Sequence, residues 1–403
     1  MTAASDHRVL FVTPRAPWPP RTGTHQRLLA HIEALQRMAS VHIVAGAREE
    51  STGWVNQTPS LDTVDAVERE GMRAVRLWFT WLLTPTTPMA GLPSRSPNLQ
   101  EAIARAVRNT SPDLLWVHRL ETWSRIRPVL PRHLPTVIDA DDDVVAMASQ
   151  ASRLPSRTTG RTAVRRLFFS AERRRYAGLV GRAKAESVLV LANPQDIRSG
   201  SRNVLCVRNG VLGPTESIPA RRGTGLVVGF VGNLRYGPNA DAARRLAAGL
   251  AAALKQAVPG TTVRVIGTVP AEIDVLLTAS GIEVAGFVDD LNSAMSELAA
   301  TIIPIERGSG TRVKAVDAMA RGVPVISTPL GVAGLGLVDG ETVRLASSDQ
   351  DFAAAWKDLA EHPEKGDRLA SAAYSHYLEE LSLKAVMRDI SQAAATAGVP
   401  LSE

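Results

Sequence analysis

LVVGFVGNLRYGPNADAARRLAAGLAAALKQA, running from Leu226 to Ala257, opens with the β-branched run Leu226–Val231. A Gly/Pro-bearing loop, Gly232–Pro238, follows, and then an alanine-rich segment with helical character, Asp241–Ala257. A short apolar run without polar alternation, a glycine loop and a helix are the opening of a parallel, doubly wound unit. The same order occurs near the start of the chain. Arg8–Thr13 (RVLFVT) is a strand candidate, a Pro/Gly-rich loop comes next, and Gln26–Met38 is helix-like.

Further strand candidates continue both units. In the first half they are Val41–Val44, Leu114–Val117, Thr136–Asp139 and Val188–Ala192; in the second, Val263–Ile266, Ile282–Val284, Thr301–Ile305, Val323–Ser327 and Thr342–Leu345. Helical patterns separate most of them, as in sheets covered on both faces. The stretch between Asn209 and Thr224 is rich in Gly, Pro and charge and has no periodicity, which marks a boundary. The expected fold class is thus α/β, with two doubly wound Rossmann-like domains. Their expected limits are 1–212 and 213–380, and a C-terminal helix, 381–403, packs back on the first domain. Ligands of such sheets sit beyond the carboxyl ends of the strands.

The chain has 403 residues, too many for one ordinary core and enough for two. Its single cysteine, Cys206, excludes an internal disulfide framework and a cysteine zinc site. No cleavable leader and no spanning apolar run is visible; Leu77–Leu83 (LWFTWLL) is far too short to cross a bilayer. A cytoplasmic location is the default expectation. Net charge is +6, and the excess is uneven. Between Ala151 and Ala185 ten cations face one acid, Glu172. That block suits an anionic partner: a phospholipid surface, a phosphorylated acceptor or nucleic acid, with a solvated helix face as the plainer reading.

The chemistry concentrates in PIERGSGTRVKAVDAMARGVPVISTPLGVAG, Pro304–Gly334. A strand ends at Ile305, a loop carries Gly308 and Gly310, and a helix opens near Thr311 and runs to Ala320. Its unpaired N–H groups and positive dipole end suit a phosphate. Arg312 and Lys314 stand where the dipole disfavours cations, which makes more sense if an anion lies between them. Asp317, one turn deeper, suits a ribose diol. A tight, surface-charged strand-to-helix loop is the alternative. Asp139–Asp143 (DADDD) invites a metal reading, but the two-sheet pattern and helix capping account for it better. Histidines His7, His31, His42, His133, His362 and His376 lack metal-ligand spacing. No G-x-S-x-G or G-x-x-x-x-G-K-[ST] segment occurs, and the first loop lacks G-x-G-x-x-G.

The order of residues in Pro304–Gly334 resembles the donor-binding segment of family 4 retaining glycosyltransferases, which have the two-Rossmann-domain (GT-B) architecture facing an interdomain cleft. Other segments agree. Gly229–Ala242 is similar to the first strand and loop of the family's C-terminal domain, and Val207–Val211 (VRNGV) to the signature before its linker. Gly286–Leu291 (GFVDDL) resembles the loop bordering the nucleobase, and Pro17–Arg27 the proline-glycine loop facing the phosphates. The resemblance implies catalytic roles for His118, Arg312 and Lys314. It implies donor contacts from Gly23, Asn233, Arg235, Val288, Gly308, Ser309, Gly310, Thr311 and Asp317; His25 and Arg27 are acceptor-binding candidates by their place in the Gly23 loop. It implies no metal and no cofactor, a nucleotide-diphosphate sugar as co-substrate, and a hydroxyl acceptor: a glycan, a lipid-linked sugar or a small natural product. No nucleic acid partner is expected, and the 151–185 segment offers peripheral contact with an inner membrane surface. Two departures stand out. Asp317 replaces the usual Glu, and Ser309 stands where an acid is common. A sugar-nucleotide epimerase or hydrolase on this architecture, or a non-catalytic nucleotide-sugar-binding subunit, are the rival readings.

Overall fold

The computed structural model describes residues 7–18, 23–47, 61–65, 74–89, 97–153, 159–197, 201–211, 225–308 and 312–402. They divide into two compact units: Met1–Pro20, Arg27–Arg208 and Val386–Glu403 form the first; Arg21–Gln26 and Asn209–Ala385 form the second.

The first unit runs β1 (Arg8–Thr13), α1 (Gly23–Met38, whose first turn groups with the second unit), β2 (Ser40–Ala47), β3 (Leu61–Asp65), α2 (Ala74–Leu83), α3 (Pro97–Thr110), β4 (Leu114–His118), α4 (Leu120–Ile126), β5 (Thr136–Asp141), α5 (Val144–Arg153), α6 (Thr159–Glu186), β6 (Val188–Leu191) and β7 (Val204–Cys206). All pairings are parallel, in the order β3-β2-β1-β4-β5-β6-β7. The apolar runs read from the sequence are buried throughout: Val9, Leu10, Phe11 and Val12 are at most 1% exposed, as a strand covered on both faces requires. β3 and β7 were not among the expected strands. One is half polar (LDTVD) and the other only three residues long, and both lie at sheet edges. An edge strand carries little of the buried run by which a central strand is found.

The second unit runs β8 (Val227–Val231), α7 (Gly237–Arg245), a π turn at Leu246–Leu250, α8 (Ala251–Ala257), β9 (Thr262–Ile266), α9 (Ala271–Ala279), β10 (Glu283–Gly286), α10 (Leu291–Ser296), β11 (Ala300–Ile303), α11 (Val313–Ala320), β12 (Val325–Ser327), β13 (Arg344–Leu345), α12 (Asp349–Glu361) and α13 (Pro363–Glu380). α14 (Leu383–Thr396) begins here and continues into the first unit. The sheet order is β10-β9-β8-β11-β12-β13, again parallel. Both sheets therefore contain the doubly wound 3-2-1-4-5-6 order, and each reverses direction beside its first strand: at β1/β4 and at β8/β11. Ligands of such sheets bind outside the carboxyl ends of the strands at that reversal. Phe230, Trp356 and Tyr377 anchor the second core, each at most 1% exposed. Trp356 Nε1 donates to Thr261 Oγ1 at 2.9 Å, so the ring is buried without an orphaned N–H.

The carboxyl ends of β8 and β9 are pressed together at two glycines. A Cβ on Gly267 would lie 2.1 Å from the Gly232 carbonyl oxygen, and Gly267 has φ +132°. Neither backbone can retreat, because both end core strands. Gly267→Ala is expected to cost about 1–3 kcal/mol from the backbone conformation alone, read as a lower urea midpoint with an unchanged slope.

Among the described residues no helix is long and apolar enough to cross a membrane.

Candidate functional site

In the second unit the β8 and β11 loops meet at the reversal. The β8 loop is folded by its own asparagines. Asn233 Oδ1 accepts from the Arg235 N–H at 3.0 Å, and Asn239 Nδ2 donates to the Asn233 carbonyl at 2.8 Å. The β11 loop lies against it at Gly308. With φ +132°, a Cβ there would sit 3.1 Å from Pro238 Cγ, so only glycine lets the loop lie this close. Ser309, Gly310 and Thr311 lie outside the described residues.

α11 starts at Val313 with Arg312 as its N-cap residue, whose side chain makes no cap hydrogen bond. Gly322, in the left-handed region at φ +63°, follows its end. Lys314 crosses back to the β8 loop. Its Nζ donates to Asn239 Oδ1 at 2.9 Å and lies 5.8 Å from the Phe230 ring centroid. Burial, with Arg312 nearby, lowers the Lys314 ammonium to about 8. Asn239 was not singled out in the sequence, yet it ties this lysine to the β8 loop. A Gly-Pro-Asn at a helix start is the signal that marks it.

Asp317 is 5% exposed and forms an i,i+4 pair with Arg321, whose Nη1 donates to Asp317 Oδ1 at 2.8 Å. Arg321 Nε in turn donates to Asn292 Oδ1 at 2.8 Å. Burial pushes the Asp317 carboxyl up, against the pull of Arg321, Gln26 and Lys314. Its oxygens are already drawn on by Arg321 and by the Gln26 side chain, which narrows what it offers a diol. The Asp-x-x-x-Arg spacing in VDAMAR carried that information. Glu306 and Arg307, which precede Gly308, are drawn into surface pairs with Arg245 (3.0 Å) and with Asp241. Arg235 is exposed, and Val288 is half-buried against the core. Gly23, in the first turn of α1, approaches Val313 so closely that a Cβ would meet its Cγ2 at 3.0 Å; His25 is half-buried in the same turn.

In the first unit the site at β1/β4 is a buried charge network. Strand register sets His118 beside Asp139, and His118 Nδ1 lies 3.1 Å from Asp139 Oδ2. Arg27 closes on the same carboxylate, Nη2 to Oδ1 at 2.7 Å, and donates from Nη1 to the Val207 carbonyl at 2.8 Å. Against the burial of its carboxyl, Arg27 and the His118 hydrogen bond hold Asp139 well below the usual carboxylate range. The ionised carboxylate in turn fixes the proton on His118 Nδ1 and leaves Nε2 as the ring's other hydrogen-bonding atom. His31, edge-on to Trp116 at 5.6 Å, is lowered to about 3 by burial and by Arg27, and is neutral. Three described non-glycine residues have positive φ, and two of them, Arg119 and Asp141, flank this network. Strain at that place fits a held geometry.

This arrangement corrects one expectation. Arg27 is 1% exposed and spends its donors inside the protein, so it supports Asp139 rather than meeting an acceptor. In DADDD, Asp139 is the counter-charge and His118 partner, Asp141 lies 3.6 Å from Arg27 Nε, and Asp143 caps α5 by accepting from the Val145 and Ala146 N–H groups at 2.9 Å, as helix capping requires. Among the described residues no group of three or more His, Cys, Asp or Glu is placed to hold a metal ion.

Two parallel 3-2-1-4-5-6 sheets, with a cation held at a helix start beside the reversal in the second, define the two-Rossmann (GT-B) class. Residues 225–362, all within the second unit, match the family model described as Glycosyl transferases group 1. Whole-chain likeness extends to solved structures. HepE of Anabaena, in complex with UDP and glucose, is 15% identical, with TM-score 0.64, over 97% of this chain and 100% of that one. Sucrose-phosphate synthase of Thermosynechococcus elongatus is 14% identical, with TM-score 0.67, over 96% and 98%. A glycosyltransferase of Rickettsia africae is 10% identical, with TM-score 0.62, over 97% and 99%. No curated protein matches the sequence.

Proposed function

We propose that this chain transfers a sugar from a nucleotide-diphosphate sugar to a hydroxyl acceptor, with retention of anomeric configuration, as a family 4-type enzyme. The observation that carries the reading is Lys314, held by Asn239 at the opening of α11 beside the β8/β11 reversal. In the reaction the bond between the sugar's anomeric carbon and the diphosphate oxygen breaks. The acceptor oxygen bonds to that carbon, and its proton leaves with the nucleoside diphosphate. Charge builds up on the departing diphosphate. The first-turn amides of α11, Arg312 and Lys314 are assigned to stabilise it, without a metal. Gly23, Gly308, Ser309, Gly310 and Thr311 are assigned to the donor phosphates and sugar, and Asn233, Arg235, Val288 and Asp317 to the nucleoside side. His118 is assigned to the transferred sugar and His25 to the acceptor. HepE was solved with UDP and with UDP-glucose, so UDP-sugars are the first donors to try. The acceptor is a glycan, a lipid-linked sugar or a small natural product. We place the protein in the cytoplasm, with the basic 151–185 segment against an anionic partner.

Incubation with a panel of UDP-, GDP- and dTDP-sugars, with and without acceptor extract, tests this. Nucleotide release that needs acceptor, survives EDTA and gives a retained anomer by NMR supports it. Release without acceptor indicates an epimerase or hydrolase, and tight binding without release indicates a binding subunit; either outcome defeats the proposal.

A pH prediction follows from the lowered Lys314. As pH rises through about 8 this ammonium loses its proton and its attraction for phosphate. Affinity for UDP should fall across that range in wild type. It should stay flat to about pH 10 in Lys314→Arg, because a guanidinium does not titrate there. Isothermal titration at pH 7, 8 and 9 reads the difference.

A further inference from the structure

The ten-residue helix α2 presents an apolar face that the donor chemistry does not use. Trp78 and Trp81 turn toward α6, with ring centroids 5.1 Å from Phe168. The joint is built, not incidental. Buried Glu172 accepts from Trp81 Nε1 at 2.6 Å and from the Met89 N–H at 3.1 Å. Arg175 lies 3.8 Å above the Trp81 ring and donates to the Thr87 carbonyl at 3.2 Å. α2 is thereby locked along α6 with its other side outward: Phe79 is 62%, Leu82 61% and Leu83 80% exposed. On α6, Val164 and Leu167 are 62% and 74% exposed. Ordinary surfaces scatter such residues singly; a locked helix showing three of them within five positions calls for a cover.

The charge beside it selects the cover. α6 exposes Arg166, Arg173, Arg174 and Arg182, and its one internal acid, Glu172, is spent on the Trp81 joint. Exposed apolar side chains on α2 beside an arginine-rich α6 match a bilayer interface with anionic headgroups, where the first enter the acyl boundary and the second meet phosphate. We infer that α2 and α6 form a peripheral docking surface for an anionic lipid membrane, with Phe79, Leu82 and Leu83 as the inserting residues. This deepens the anionic-partner reading of the 151–185 segment and is independent of the donor site. LWFTWLL is too short to span a membrane and suited to lying in its surface.

The test is co-sedimentation of the full chain with vesicles of phosphatidylcholine alone or with about 30% phosphatidylglycerol. Expected is binding to anionic vesicles at least about tenfold tighter than to neutral ones and weakened by salt. Leu82→Ser with Leu83→Ser should lose about tenfold, and Arg173→Gln with Arg174→Gln should also lose affinity and flatten the salt dependence. Both variants should keep wild-type circular dichroism and UDP affinity, which separates this result from a failure of the donor reading. Equal binding to both vesicle types, or undiminished binding of the serine variant, overturns the inference. So does light scattering that shows a wild-type dimer dissociated by the serine changes, because a second copy would then be the cover.

Discussion

Lys314→Ala is expected to lower kcat/KM for the nucleotide sugar by roughly 10²–10³-fold, the usual loss when one preorganised donor to developing negative charge is removed. The lysine is held by Asn239 Oδ1 at 2.9 Å before any substrate arrives, so its charge is placed at little reorganisation cost. Lys314→Arg should retain part of the activity, and Asn239→Ala, which frees the lysine without removing it, should fall between wild type and Lys314→Ala. Arg368→Ala, at an exposed position in α13, is the control and should match wild type. If Lys314→Ala keeps both UDP affinity and kcat/KM, no diphosphate rests at this helix start.

Asp139→Asn is expected to be the most damaging single change to stability. It takes from the Arg27 guanidinium, 1% exposed, the carboxylate that binds it directly, and leaves only Asp141 at 3.6 Å. Breaking a buried pair from one side costs about 3–5 kcal/mol, or roughly 10 °C in the melting temperature of a unit this size. The pH dependence follows in sign. Asp139 titrates lower folded than unfolded, so its stabilisation is complete above an ordinary carboxylate pKa and fades as pH falls through the folded value. The gap between wild type and Asp139→Asn should therefore be full at pH 7 and shrink below about pH 4. Arg27→Met with Asp139→Leu should recover most of the loss, because an apolar pair leaves no charge at these two positions. It should not recover activity, since His118 would have lost the carboxylate that sets its tautomer. Additive losses in the double variant would mean the two residues do not form the unit described.

The central strands were legible because parallel sheets bury both faces. Arg8–Thr13 was recovered residue for residue, and Leu226–Val231 to within one. Edge strands β3 and β7 were not, since pairing on one side leaves little hydrophobic signal. At the candidate site, the glycine loop and the cations of Arg312–Lys314 were visible because they break local rules: cations at a helix start, and glycines against a strand end. What sequence spacing hid was the long-range partner. Asp139 lies 112 residues from Arg27 and 21 from His118, so spacing within DADDD shows the local cap made by Asp143 and not the long-range partners of Asp139. The partner of Arg27 is hidden for the same reason. A cation in a glycine loop suggests a ligand until the fold shows a carboxylate already waiting for it.

The last stretch of chain, Val386–Glu403, belongs with the first unit although the second unit lies between them in sequence. Val386, Ile390, Ala393, Ala394, Val399 and Leu401 are all buried, and the Arg208 N–H donates to Asp389 Oδ2 at 3.4 Å. During synthesis the first unit therefore waits, with an open flank, until residues 209–385 have been delivered and Val386 onward can dock. A chain cut short before Val386 would carry a finished second unit and an unfinished first, a species open to proteolysis.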